Sequence, residues 1–164
     1  MQRSQGEKMR KLTNLYNQIF EVLHKYTDDI FKLFLRLYVA DAFFRAGLTK
    51  LGSWDSQMPF LSSGARYLFK SEYSVPLIPW ELAAYLATAA ELVLPVLLVL
   101  GLATRLSALA LFLFNIIAVV SYPVLWEGGY YDHKLWGIML LVIVIYGQGR
   151  ISIDALICNK HHQK

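Results

Sequence analysis

Between Phe31 and Leu51 the chain reads FKLFLRLYVADAFFRAGLTKL, apolar and long enough to cross a bilayer, yet it carries Arg36, Asp41, Arg45 and Lys50. Ionised side chains at membrane depth cost about 2.5 to 3.5 kcal/mol each at a helix centre even on the lower scales, so they face protein or a water-filled cavity. This stretch constrains the fold before any other: its charged positions need other helices to pack against.

Three further blocks supply them. The stretches 80–100 and 106–125 match the roughly 20 residues that cross about 30 Å of hydrocarbon. Leu135 to Gly147 alone rises only about 20 Å, so the last span must begin near 131 and draw in Asp132, His133 and Lys134. With 56% hydrophobic residues among 164 and a mean hydropathy of +0.40, the chain is too apolar for a soluble domain of its size. The expected fold is all-α: an integral membrane four-helix bundle over 31–157, with spans at about 31–51, 80–100, 106–125 and 131–147, and a cytoplasmic tail over 158–164.

Residues 1–30 read differently. Leu12, Leu15, Tyr16, Ile19, Leu23, Tyr26 and Ile30 recur at steps of three and four, while Asn14, Asn17, Gln18, Glu21, Lys25 and Asp28 fall elsewhere. Headed by Lys8, Arg10 and Lys11, this is expected to be an amphipathic helix lying in the membrane interface; packing on a soluble partner is the alternative. The basic residues have no uninterrupted apolar run or small-residue cleavage pattern behind them, so the first span is expected to serve as an uncleaved anchor.

Basic residues also set the expected topology. Arg3, Lys8, Arg10, Lys11, Lys25, Lys32, Arg105, Arg150, Lys160 and Lys164 fall on one side of four spans, against Lys50, Arg66, Lys70 and Lys134 on the other. The positive-inside rule then places both termini in the cytoplasm of a bacterial-type inner membrane, with Trp54, Trp80, Trp126 and Trp136 forming an outer aromatic belt. The net charge of +4 is concentrated beside the apolar blocks, which points to anionic membrane lipid and not to nucleic acid.

The loop 52–79 is long for a compact bundle and is expected to hold a short helix near 56–70 over the outer face. Pro79 is a favourable start for the second span, Ala83, Ala87 and Ala90 give it a small-residue stripe, and Pro95 is a potential kink. The single cysteine, Cys158, excludes an internal disulfide, and with one histidine near a span no bis-histidine haem, iron–sulfur cluster or other tightly bound metal is expected.

Four pieces then stand in order: Arg36 with Ala46-Gly47-Leu48-Thr49-Lys50-Leu51; Glu91-Leu92; Leu100-Gly101-Leu102-Ala103-Thr104-Arg105; and Gly147-Gln148-Gly149-Arg150-Ile151-Ser152-Ile153-Asp154-Ala155. Together they resemble the DoxX family of small four-span membrane proteins, over roughly 31–157. Gln148 stands where the family's last motif commonly has proline. The resemblance implies association with membrane oxidoreductase systems, including quinone-linked oxidation of sulfur compounds. The expected function is therefore a membrane subunit, possible homo-oligomer included, that works with quinone and with a partner protein carrying the redox centre. A non-catalytic scaffold or maturation factor is the alternative, and a small-solute transporter is less supported because no inverted repeat is visible.

If the first two spans run in opposite directions, Asp41 and Glu91 both lie near the bilayer midplane. Asp41 and Arg45 are four apart on one helix face, so Arg45 is expected to bond both Asp41 and Glu91. Arg36 lies about 180° round the helix from Arg45 and must reach another helix or the interface. On the functional reading Glu91, Asp41 and His133 move protons, while Arg45 and Lys50 bind an anionic or quinone-like oxygen with help from Arg36, Asn115 and Trp54. On the competing reading the charges form a neutral structural clasp, and Asn115 is an interhelical hydrogen bond.

Overall fold

The computed structural model of the protein describes residues 2–52, 59–126 and 128–161. Among the described residues six α-helices follow one another: α1 (Gln2–Lys50), α2 (Ser63–Ser71), α3 (Trp80–Leu100), α4 (Thr104–Ser121), α5 (Tyr130–Tyr146) and α6 (Ile153–His161), with a 3-10 turn at Pro123–Trp126. Among the described residues α3 and α4 are long and apolar enough to cross a membrane. The 17 residues of α5 rise about 26 Å, and α1 carries its charges through the stretch that follows residue 31.

Several boundaries differ from the sequence reading for local reasons. No glycine or proline interrupts 12–46, and the Lys32–Asp28 pair at 2.6 Å straddles residue 30, so the amphipathic stretch and the first expected span are parts of one unbroken helix. The third expected span, α4, stops at Ser121 and not near 125. Tyr122 precedes Pro123 and is pushed to φ −126°, ψ 87°, outside the helical region. The helix of the long loop begins at Ser63, where the Ser62 hydroxyl accepts from the Ala65 amide at 3.1 Å; residues 53–58, and with them Trp54, lie outside the described residues.

The helices close a ring: α3 packs on α1 and α4, α4 on α5, and α5 returns to α1. Arg36 reaches Leu98 while Lys50 reaches Glu91, so α1 and α3 run antiparallel. Leu35, Val39 and Phe43 of α1, Leu98 of α3, Leu111 of α4, and Leu140 and Ile143 of α5 fill the centre. A second cluster joins Leu61 and Phe69 to Ala83, Ala84 and Ala87, seating α2 on the N-terminal end of α3. The chain reaches it through an antiparallel bridge between Leu51 and Leu61, with Ser62 donating to the Lys50 carbonyl at 2.9 Å.

At the opposite end Arg36 is 1% exposed and makes four hydrogen bonds to backbone carbonyls: Leu98 and Val99 at 2.9 Å, Gln148 at 2.7 Å and Ile151 at 2.8 Å. The guanidinium is thus a spacer that satisfies the C-terminal carbonyls of α3 and ties them to the loop after α5. Gly101 ends α3 at φ +67°, and a Cβ there would lie 2.5 Å from that of Ser152. Asp154 closes the same corner, accepting from the Ala103 and Thr104 amides at 2.8 Å and from the Thr104 hydroxyl at 2.9 Å. Burial works against its ionised form, but the three hydrogen bonds and the charge of Arg36 outweigh it, and the carboxyl is held below its ordinary pKa.

Two outcomes are expected. Arg36→Ala takes a charged donor from four backbone carbonyls, of which Leu98 keeps the Gly101 amide at 3.2 Å, and is expected to lower unfolding stability in detergent by about 3 kcal/mol, with Arg36→Lys recovering only part. Because the Asp154 pKa is depressed in the fold, its contribution is complete above the ordinary carboxylate value of about 3.9 and is lost as pH falls through the lower folded value. The Tm difference between wild type and Asp154→Ala is therefore largest near neutrality and shrinks on acidification below about pH 4; a pH-independent gap contradicts the ionised-cap assignment.

Candidate functional site

The buried face of α1 is set by Leu35, Val39, Phe43 and Gly47, and continuing that face by one turn brings Lys50 inward. There its ammonium meets Glu91 of α3 at 2.5 Å and the Ala46 carbonyl at 3.3 Å, with side chains 11% and 8% exposed. The helices approach closely at this level because Gly47 has no side chain. A Cβ on Gly47 would lie 2.9 Å from a Leu92 methyl and 3.1 Å from the Glu91 carbonyl carbon.

The ion pair is set in the wall of a cavity of about 380 Å³ bounded by α1, α2, α3 and α4 and by the segment after α2. Apart from Lys50 and Glu91 its lining is almost wholly apolar, with Leu94, Leu113, Phe114 and Ile117 as the larger residues and Ala83, Ala87 and Ala90 leaving the space. Ser121 adds a hydroxyl whose oxygen is buried and has no hydrogen-bond partner among the described residues. Such an oxygen is uncommon in a packed interior.

Tyr73 borders the same cavity, stacked between Phe69 at 4.6 Å and Tyr122 at 4.7 Å. Tyr122 donates to Glu72 at 2.7 Å, and Ser74 donates its amide to the Ser121 carbonyl at 2.8 Å, so the segment after α2 is pinned to the end of α4. Burial, and then the charges of Glu91, Tyr122 and Glu72, push the Tyr73 phenol up to about 12. Across neutral pH it is a neutral hydrogen-bonding group beside a charged pair.

The remaining expected site residues fall elsewhere. Arg45 donates to Asp41 at 2.8 and 2.9 Å but does not bond Glu91: both are on the outward face of α1, 76% and 61% exposed. The expected Arg45–Glu91 contact is thus replaced by Lys50–Glu91, since Lys50 shares the inward face and Arg45 does not. Arg36 is consumed by carbonyls at the far end, which corrects its expected role in substrate binding. Asn115 donates to the His133 carbonyl at 2.9 Å and pairs with His133 Nδ1 at 2.6 Å, an α4–α5 clasp that does not line the Lys50–Glu91 cavity. The expected single polar cavity is therefore four separate arrangements, of which one combines buried charge with open volume. Among the described residues no group of three or more His, Cys, Asp or Glu side chains is placed to hold a metal ion. Sequence reasoning singled out neither Ser121 nor Tyr73.

The helices thus form a closed ring, two of them long and apolar enough to cross a membrane. The DoxX family profile matches residues 31–123, and an uncharacterized protein of Haemophilus influenzae is 34% identical over 132 residues, covering 76% of this chain and 82% of its own. The chain belongs to the DoxX family. No solved structure matches it.

The double-mutant cycle that tests the site pairs Lys50 with Glu91. Lys50→Met strands a buried carboxylate and is expected to cost roughly 3 to 5 kcal/mol, while Glu91→Gln in the same background restores part of the loss. Arg45→Ala is expected to show no coupling to Glu91→Gln in the same cycle, because Arg45 bonds Asp41 on the outward face and does not reach Glu91. Additive losses for Lys50 and Glu91 would contradict the pairing.

Proposed function

We propose that this DoxX protein is a four-span subunit of a membrane oxidoreductase system, with both termini cytoplasmic, that receives a quinone in the Lys50–Glu91 cavity while a partner protein carries the redox centre. The observation that carries this reading is the combination of apolar walls with one buried ion pair and one unpartnered hydroxyl. A quinone is an apolar ring with two carbonyl oxygens and a hydrocarbon tail, and when bound it supplies two-electron redox chemistry with proton uptake. The cavity volume falls within the usual range for small-molecule sites.

Each chain group then has a defined task. Lys50 donates a hydrogen bond to a carbonyl oxygen, and Glu91 keeps that ammonium charged and in place. Ser121 and Tyr73 supply hydroxyls on the other walls, while Leu113, Phe114 and Ile117 exclude water from the ring. Ser121→Ala is the cleanest probe, since it removes a hydroxyl with no hydrogen-bond partner among the described residues. In nanodiscs it is expected to keep or raise thermal stability and to weaken binding of a short-chain quinone several-fold. The double variant Lys50→Met/Glu91→Gln is expected to weaken it at least tenfold, and unchanged affinity in both would overturn the assignment.

The scaffold reading keeps one observation of its own: residues 9–24 of α1 are exposed throughout. It requires that removing 2–24 abolishes recovery of a partner protein while Glu91→Gln does not.

A further inference from the structure

The Asp41–Arg45 pair has an unusual setting. On the four-span reading above, on which this inference rests, it lies at mid-membrane on the outward face of α1, more than half exposed, where lipid offers an ion no hydrogen bond. Arg45 spends only its Nε on Asp41, and neither terminal nitrogen has a partner among the described residues. A guanidinium has five N–H donors, so most of them still need acceptors.

The pair sits within a longer pattern. The heptad Met9, Tyr16, Leu23, Ile30, Leu37, Phe44 is exposed along the whole of α1. Four residues on from its members stand Phe20, Phe34, Asp41 and Leu48, exposed as well. Alternating steps of four and three give a 3.5-residue period, which keeps one seam facing one neighbour along a left-handed coiled coil. From Met9 to Leu48 the seam runs for roughly 60 Å; among the described residues α3 borders it beside Leu37, Asp41 and Phe44, and the seam side chains stay at least a third exposed.

We propose that this seam is the contact between two copies of the chain, packed side by side in parallel. Copies inserted with one topology present the same residue at the same depth, so each Asp41–Arg45 pair stands level with its counterpart. The pair is self-complementary: Arg45 of one copy keeps its Nε on its own Asp41 and extends a terminal nitrogen to the partner copy's Asp41, giving both arginines and both carboxylates further partners. A foreign helix would need its own acceptor at that depth and its own matching period over the same length. Nine large apolar side chains on the seam, each at least a third exposed, supply on the order of the 800 Å² per partner found in stable interfaces.

The test uses single cysteines in a Cys158→Ser background, oxidised in native membranes. Phe34→Cys, Leu37→Cys, Phe44→Cys and Leu48→Cys are expected to form disulfide-linked dimers at least tenfold more than Leu106→Cys and Leu109→Cys on the exposed side of α4. Asp41→Arg should abolish the Leu37→Cys crosslink, and Asp41→Arg/Arg45→Asp should restore it. Equal crosslinking on α1 and α4, adducts with a different protein, or indifference to Asp41→Arg would overturn the proposal. Labelling of the same cysteines by a water-soluble maleimide separates the two failures: free labelling at 34–48 rejects the span itself, whereas protection without crosslinking leaves the span and rejects the dimer.

Discussion

A guanidinium buried at one end of the bundle holds the rest in order. Arg36 carries a full charge into the interior, and it is tolerable there because backbone carbonyls from two separate segments converge on it. Those carbonyls belong to the last turn of α3 and to the loop after α5, so one side chain fixes the relative height of three elements. The Gly101 turn and the Asp154 cap exist around the same point: the first lets Ser152 approach, and the second starts α4 where α3 has just ended. The motifs that identify the family at sequence level are thus, in large part, the parts of a single corner.

The placement of α3, α4 and α5 was legible because apolar block length and proline position are local signals, whereas α6 (Ile153–His161) was not expected. Pro79 and the aliphatic run behind it leave little freedom for α3. The end of α4 and the continuity of α1 were less legible, since each depends on what is missing: an amide at Pro123, and any breaker between 12 and 46. An amphipathic pattern beside an apolar one suggests two elements, but a change of solvent along a helix requires no change in its backbone.

The charge assignments show a related effect. Spacing along the chain put Arg45 and Glu91 at similar depth, and depth alone made them partners. Rotation decides otherwise: the residues of α1 that fill the core put Lys50 and Arg36 on the inner face and Asp41 and Arg45 on the outer one. That information was present in the apolar periodicity of 35, 39 and 43. The Ser121 and Tyr73 contributions were not available in this way, because they depend on where a long loop folds back over α3 and α4.

The two buried cations of α1 differ in a way that bears on function. Arg36 is sealed, with backbone acceptors distributed around its guanidinium and the core closed over it. Lys50 has one carboxylate and one long bond to a carbonyl, and the wall beside it opens on about 380 Å³ of mostly apolar space with an unpaired hydroxyl across it. A buried ion pair is a poor device for stability, because desolvation offsets most of its attraction and an apolar pair of the same volume often does as well. A chain that needed only to join α1 to α3 had that alternative, and Gly47 already brings the helices together. Keeping a charge pair there, half-enclosed and next to unfilled volume, is the arrangement expected of a group held ready for a ligand oxygen.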